Sequence, residues 1–113
     1  MGIESSIIDN VLILKINSEM LTEIENDEFE SFLNDNLGKG ISKIIIDITG
    51  VSYFNSSHIG LIVRLFSTAR NKNAILSIGG SGERLTALLE SVKLSSIIKI
   101  FPSVPEAIDN FEK

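Results

Sequence analysis

The chain has 113 residues, a formal net charge of -5, one histidine and no cysteine. That length supports one domain with a single core. The acidic balance argues against a nucleic-acid surface, and the Cys and His counts exclude a disulfide frame, a thiol nucleophile and a thiolate or histidine-cluster metal site.

No apolar run reaches the roughly 20 residues needed to cross a bilayer. No charged segment leads into an apolar one at the N-terminus, so a cytoplasmic protein without membrane attachment is expected. Two short motifs read as chance matches. Met1-Gly2-Ile3-Glu4-Ser5-Ser6 fits the loose myristoylation pattern, and Asn55-Ser56-Ser57 fits a glycosylation sequon that only a secreted chain would use.

In chain order, Ser5 to Asp9 reads as a short weak strand and Val11 to Ile16 as a clear one. Asp9-Asn10 is a turn pair between them, which predicts a hairpin ended by Asn17 and Ser18. Thr22 offers an N-cap, and Glu25 three residues on completes a capping box. Ile24, Phe29, Phe32 and Leu33 share roughly one face, so residues 22–37 read as an amphipathic helix stopped by Gly38-Lys39-Gly40.

Ile44 to Ile48 is almost unbroken β-branched residue, the pattern of a strand buried on both faces. After Thr49-Gly50 and the short apolar piece Val51 to Phe54 come Asn55, Ser56 and Ser57, all residue types favoured at helix N-caps. Ile59, Ile62, Val63 and Phe66 then recur at helical spacing to about Arg70. The segment reads strand, turn, helix, with two serine hydroxyls at the positive end of the helix dipole.

Ala74 to Ile78 is the next strand. Gly79-Gly80-Ser81-Gly82 breaks it, and Ser81 or Gly82 opens a helix through Leu85, Leu88, Leu89 and Val92. Ile97 to Phe101 is the last strand and Val104 to Phe111 a short helix, with Pro105 and Glu106 in its first turn. The order β-β-α-β-α-β-α-β-α predicts an α/β fold. Its sheet is mixed and mainly parallel, with an antiparallel N-terminal edge strand and packed helices.

For an enzyme, a nucleophile and a base are needed. The only histidine, His58, adjoins Ser57, but neighbours at a helix start point in different directions, which leaves a base of another type open, and His58 reads as an exposed helix-start residue. The glycines at 79, 80 and 82 sit where a phosphate cradle would, but lack the lysine of a P-loop and the GxGxxG spacing, so they read as a flexible connection. A receiver domain would need an adjacent acidic pair after its first strand, which is missing. By physics alone, Asn55-Ser56-Ser57 is a helix cap.

The stretch Asp47-Ile48-Thr49-Gly50-Val51-Ser52-Tyr53-Phe54-Asn55-Ser56-Ser57-His58-Ile59-Gly60-Leu61 resembles the signature of the STAS domain of bacterial anti-sigma factor antagonists. The family pattern is a strand ending Asp-Leu-Ser, a Val two residues later, an aromatic, then Asp-Ser-Ser-Gly-Leu-Gly. Val104-Pro105-Glu106-Ala107-Ile108 is similar to the family's terminal helix, and the resemblance makes residues 1–113 a single STAS domain.

The resemblance implies a non-enzymatic, cofactor-free regulator of transcription. Its partner is an anti-sigma factor that is often itself a serine kinase, and a serine phosphatase resets it. Aligned on the motif, the phosphorylated residue is Ser57, with Ser56 the alternative. Asn55, Ser56, Ser57, His58, Gly79 and Gly80 are then expected at the partner surface, on a monomer or weak dimer. Asn55 and His58 depart from the family Asp and Gly. Asn still caps a helix, while His58 adds bulk. The rival readings are a STAS-type nucleotide or small-ligand sensor outside sigma control, and a small hydrolase using Ser57 and His58.

Overall fold

The computed structural model describes residues 3–16, 22–51 and 54–111, and its elements follow the predicted order. Three sequence readings lie outside the described residues: the strand stop at Asn17 and Ser18, the Met1-Gly2 motif, and the Ser52-Tyr53 half of the apolar piece.

Strands β1 (Glu4–Ile8) and β2 (Val11–Lys15) form an antiparallel hairpin. Asp9 and Asn10 join them at φ of 53° and 66°. Two successive left-handed residues give the type I′ turn, whose twist matches that of the strands. Asp9 is therefore spent on the turn, and the first strand sits one residue earlier than its sequence suggests.

Helix α1 (Glu23–Gly38) starts with the predicted capping box: the Glu25 N–H donates to Thr22 Oγ1 at 3.1 Å, and the Thr22 N–H donates to Glu25 Oε1 at 3.0 Å. Phe29 and Leu33 are buried, but Ile24 is 72 % exposed. It lies five residues from Phe29, about 140° around the helix, and so misses the packed face.

β3 (Lys43–Asp47), α2 (Ser56–Asn71), β4 (Ile75–Gly79), α3 (Glu83–Ser91), β5 (Ile100–Phe101) and α4 (Val104–Phe111) complete the fold. The sheet order is β1-β2-β3-β4-β5, parallel from β2 onward. In a sequential parallel sheet, crossovers of one hand put every connecting helix on the same face. Accordingly Leu12, Leu14, Ile44, Ile46 and Ile78 pack with residues of α1, α2 and α3. The opposite face presents Val11, Ile13 and Ile45, and these pack with Ala107 and Ile108 of α4. The central strand is thus sealed from both sides, which is why its isoleucines run unbroken.

The last strand is shorter than the apolar run from Ile97 to Phe101 implies. Lys93 adopts φ 65° and a 3₁₀ turn follows at Leu94–Ser96. The Ile98 N–H closes on the Leu94 carbonyl at 2.9 Å, and both side chains enter the core. The first two isoleucines are thereby committed to a turn, leaving two residues to pair with β4. No helix among the described residues is long and apolar enough to cross a membrane.

Candidate functional site

The site is built where β3 and β4 end. Ile48 donates its N–H to the Gly79 carbonyl at 3.0 Å, extending the ladder one step past Asp47. Asp47 then folds its side chain forward: Oδ1 accepts the Thr49 N–H at 2.9 Å and also the Thr49 hydroxyl. This local side-chain turn ends the strand.

Gly80 closes over the turn at φ +88°. A Cβ there would collide with Thr49 Oγ1 and approach Thr49 N to 2.9 Å. Glycine is required on both counts: it tolerates the left-handed backbone and leaves room for the neighbouring strand's turn. Gly80 and Ser81 both donate N–H groups to the Phe101 carbonyl, at 3.1 and 3.2 Å. The two loops are therefore locked to each other and to β5, so the segment read as a flexible connection is held in place.

Helix α2 begins at Ser56 with Asn55 as its N-cap, in an extended conformation. Asn55 Oδ1 accepts the Ser57 N–H at 2.8 Å. His58 occupies the third helical position, where a capping box carries Glu or Gln. Its Nδ1 lies 3.2 Å from the Asn55 N–H, which donates to it, and 3.2 Å from Asn55 Oδ1. The imidazole does the work of the usual carboxylate without adding a negative charge. No acidic side chain stands in the first turn of α2.

This placement corrects the reading of His58 as an exposed residue. The side chain is 0 % exposed, and its ring stacks on Phe54 with centroids 5.1 Å apart and planes inclined by 23°. The helix start turns His58 inward because Phe54, itself buried, offers an aromatic face and the cap offers a polar partner. Gly79 is corrected likewise. It is buried inside β4, where a Cβ would come within 3.1 Å of Val104 Cα. Both residues are expected at the surface from the sequence, and the structure buries them. Ser56 is exposed, Asn55, Ser57 and Gly80 are half-buried, and these four remain at the surface.

Two features went unread in the sequence. One is the Asp47–Thr49–Gly80 lock, signalled by an Asp-x-Thr-Gly turn after a strand. The other is a staple between α1 and α2. Arg64 Nη2 donates to Asp27 Oδ1 at 2.6 Å and to Glu30 Oε1 at 2.8 Å, and the Thr68 hydroxyl donates to Glu30 Oε2 at 2.9 Å. The Arg64 hydrogen bond, seconded by Thr68, holds the Glu30 carboxyl below its ordinary value. These partners lie more than thirty residues apart, and no local pattern pairs them.

The comparisons with known proteins agree with this architecture. Residues 2–107 match the model of the STAS domain. A Thermotoga maritima protein named as a candidate anti-sigma factor antagonist is 27 % identical over 113 residues, covering 95 % of this chain and 95 % of that protein. The anti-sigma-B factor antagonist of Listeria monocytogenes is 40 % identical over 55 residues, covering 49 % of this chain and 48 % of that protein. The crystal structure of a candidate anti-sigma factor antagonist from Thermotoga maritima matches with a TM-score of 0.82 at 24 % identity, covering 98 % of this chain and 95 % of that one. With the strand, the turn and the capped serine helix in the register of the signature, the chain belongs to the STAS domain family.

Proposed function

We propose that this protein is an anti-sigma factor antagonist switched by phosphorylation of Ser57. The observation that supports this best is the start of α2. Ser56 and Ser57 stand at the motif's serine positions, on a helix end fixed by the Asn55–His58 cap and free of acidic side chains in its first turn. In this reading the unphosphorylated protein binds an anti-sigma factor that is also a serine kinase, and so frees the sigma factor for transcription. Phosphate on Ser57, with Ser56 as the alternative acceptor, ends the contact, and a serine phosphatase restores it. The protein acts by binding, in the cytoplasm, without catalysis of its own.

Asn55, Ser56, Ser57 and Gly80 form the docking rim, and His58 and Gly79 hold it from beneath. The test joins intact-mass analysis after treatment with the cognate kinase to calorimetry with that same protein. One phosphate is expected on the wild type and none on Ser57→Ala, with Ser57→Ala still binding. Full phosphorylation of Ser57→Ala would move the acceptor elsewhere, and absence of any complex would remove the antagonist reading.

A further inference from the structure

A second concave region lies at the other end of the sheet, where β3 and β4 begin, and it is unlike the serine end. It is a cavity of about 560 Å³ between α2, α4 and the sheet edge. That is within the roughly 300–1,000 Å³ of small-molecule sites. Lys43, Arg70 and Lys99 all line it, and no Asp or Glu does among the described residues. None of these three side chains has an ion-pair or hydrogen-bond partner among the described residues.

In a chain of net charge -5, three unpaired cations around one cavity make a local field opposite to that of the whole protein. The floor between them is apolar. Ile75 and Ile97 line the cavity while 59 % and 53 % exposed, two of the few large hydrophobic side chains left open to solvent. Ser77 lines it too. This residue is 2 % exposed, and its hydroxyl has no hydrogen-bond partner among the described residues. The oxygen itself keeps contact with solvent, so a ligand head group in the cavity would take the place of water there.

We propose that this cavity binds an amphipathic organic anion, with a carboxylate or phosphate head held by Lys43, Arg70, Lys99 and the Ser77 hydroxyl. The hydrocarbon body lies over Ile75 and Ile97. The inference is independent of the antagonist reading, because it concerns the far end of α2 from Ser57.

Decanoate and decyl phosphate, each below its micelle-forming concentration, are the probes, followed by amide shift mapping and calorimetry on the full chain. Shifts are expected at Lys43, Ile75, Ser77 and Lys99 and not at Ser56 or Ser57. Lys99→Glu, an exposed and fold-neutral change, should weaken binding roughly tenfold or more by removing one charge-assisted contact and adding a repulsion. Arg84→Glu makes the same change in net charge on α3, away from the lining, and should leave affinity unchanged. Decyltrimethylammonium, with the same chain and the opposite charge, should not shift these amides. The proposal is overturned if neither anion shifts them, if the cation binds as well, or if Lys99→Glu and Arg84→Glu behave alike. Binding to anionic phospholipid vesicles without binding to monomeric decanoate would overturn it in favour of a membrane surface.

Discussion

Asn55 and His58, the two residues that depart from the family's Asp and Gly, are hydrogen-bonded to each other across the first turn of α2. Each departure compensates the other. Asn55 keeps the cap but gives up a charge. His58 returns an acceptor to the cap and fills the space above Phe54 with an aromatic ring. The pair predicts coupled mutational costs. Asn55→Ala should cost about 1 kcal/mol as a lost cap, and His58→Gly more, since it also leaves a cavity. The double variant should cost less than the sum of the singles by at least ~0.5 kcal/mol. Urea denaturation of the four proteins measures this, and strict additivity would dissolve the pairing.

Gly80 and Gly82 make a matched contrast. Gly80→Ala forces a side chain onto Thr49 at a left-handed φ, whereas a Cβ at Gly82 meets nothing within 4 Å. Gly80→Ala should lose more than ~1 kcal/mol, with Gly82→Ala close to wild type. Equal midpoints for the two variants would show that the loop lock is not tight.

Ile45 lies in the central strand, 0 % exposed beneath α4. Ile45→Asp buries an unpaired carboxylate and should destabilise by several kcal/mol, on the order of the total stability of a small domain. A melting temperature within a degree or two of wild type would place that residue at the surface.

The α1–α2 staple carries a pH dependence. Glu30 titrates below its ordinary 4.5 because of Arg64 first and Thr68 second, with desolvation opposing. A carboxyl depressed in the folded state contributes stability above its unfolded pKa, and that contribution is lost as pH falls through the folded value. Thermal melts from neutral to acid pH should therefore show a shallower acid decline for Glu30→Gln than for wild type. Parallel acid limbs would exclude Glu30 as a source of that decline.

Phosphate on Ser57 should leave the fold in place and act at the interface. It adds a charge of about -1.5 to -2 at a helix N-terminus, which favours anions. Pressed into a contact without a cationic partner, a buried charge costs roughly 3–5 kcal/mol. At about 1.4 kcal/mol per tenfold, that removes two to three orders of magnitude of affinity or more. The phosphoprotein should thus melt near the unmodified temperature yet bind the anti-sigma factor far more weakly. Binding as tight as that of the unmodified protein would show that Ser57 is not the switch.

The parts of this fold legible in the sequence are those set by local rules. Asp9-Asn10 favours left-handed φ angles, Thr22 and Glu25 are spaced for a capping box, and the Ile44 run is apolar but for Asp47. Each of these finds its partner within a few residues or announces burial by composition alone. The failures share a different cause. Ile24 has the right residue type in the wrong helical phase. Ile97 and Ile98 read as strand until the left-handed turn at Lys93 is known. His58 looked exposed because its burial depends on Phe54 and Asn55 meeting it in three dimensions, and Arg64 finds its acidic partners across two helices. At the site, the serines and their cap were readable from residue type and position. The Gly80 lock was not, since it requires that two strands end side by side.

The unequal clothing of the sheet has a consequence for how the chain comes off the ribosome. Helices α1, α2 and α3 each emerge between strands they cover, so one side closes as synthesis proceeds. The other side waits for α4, which follows every strand it packs on. A chain that has emerged from the exit tunnel as far as Phe101 has a finished side and, on its reverse, a bare strip of Val11, Ile13 and Ile45 facing water. Eight residues then seal it. Any delay in the release of α4 from the tunnel would hold that strip open, and chaperone capture at this point would act on one side of an otherwise assembled sheet.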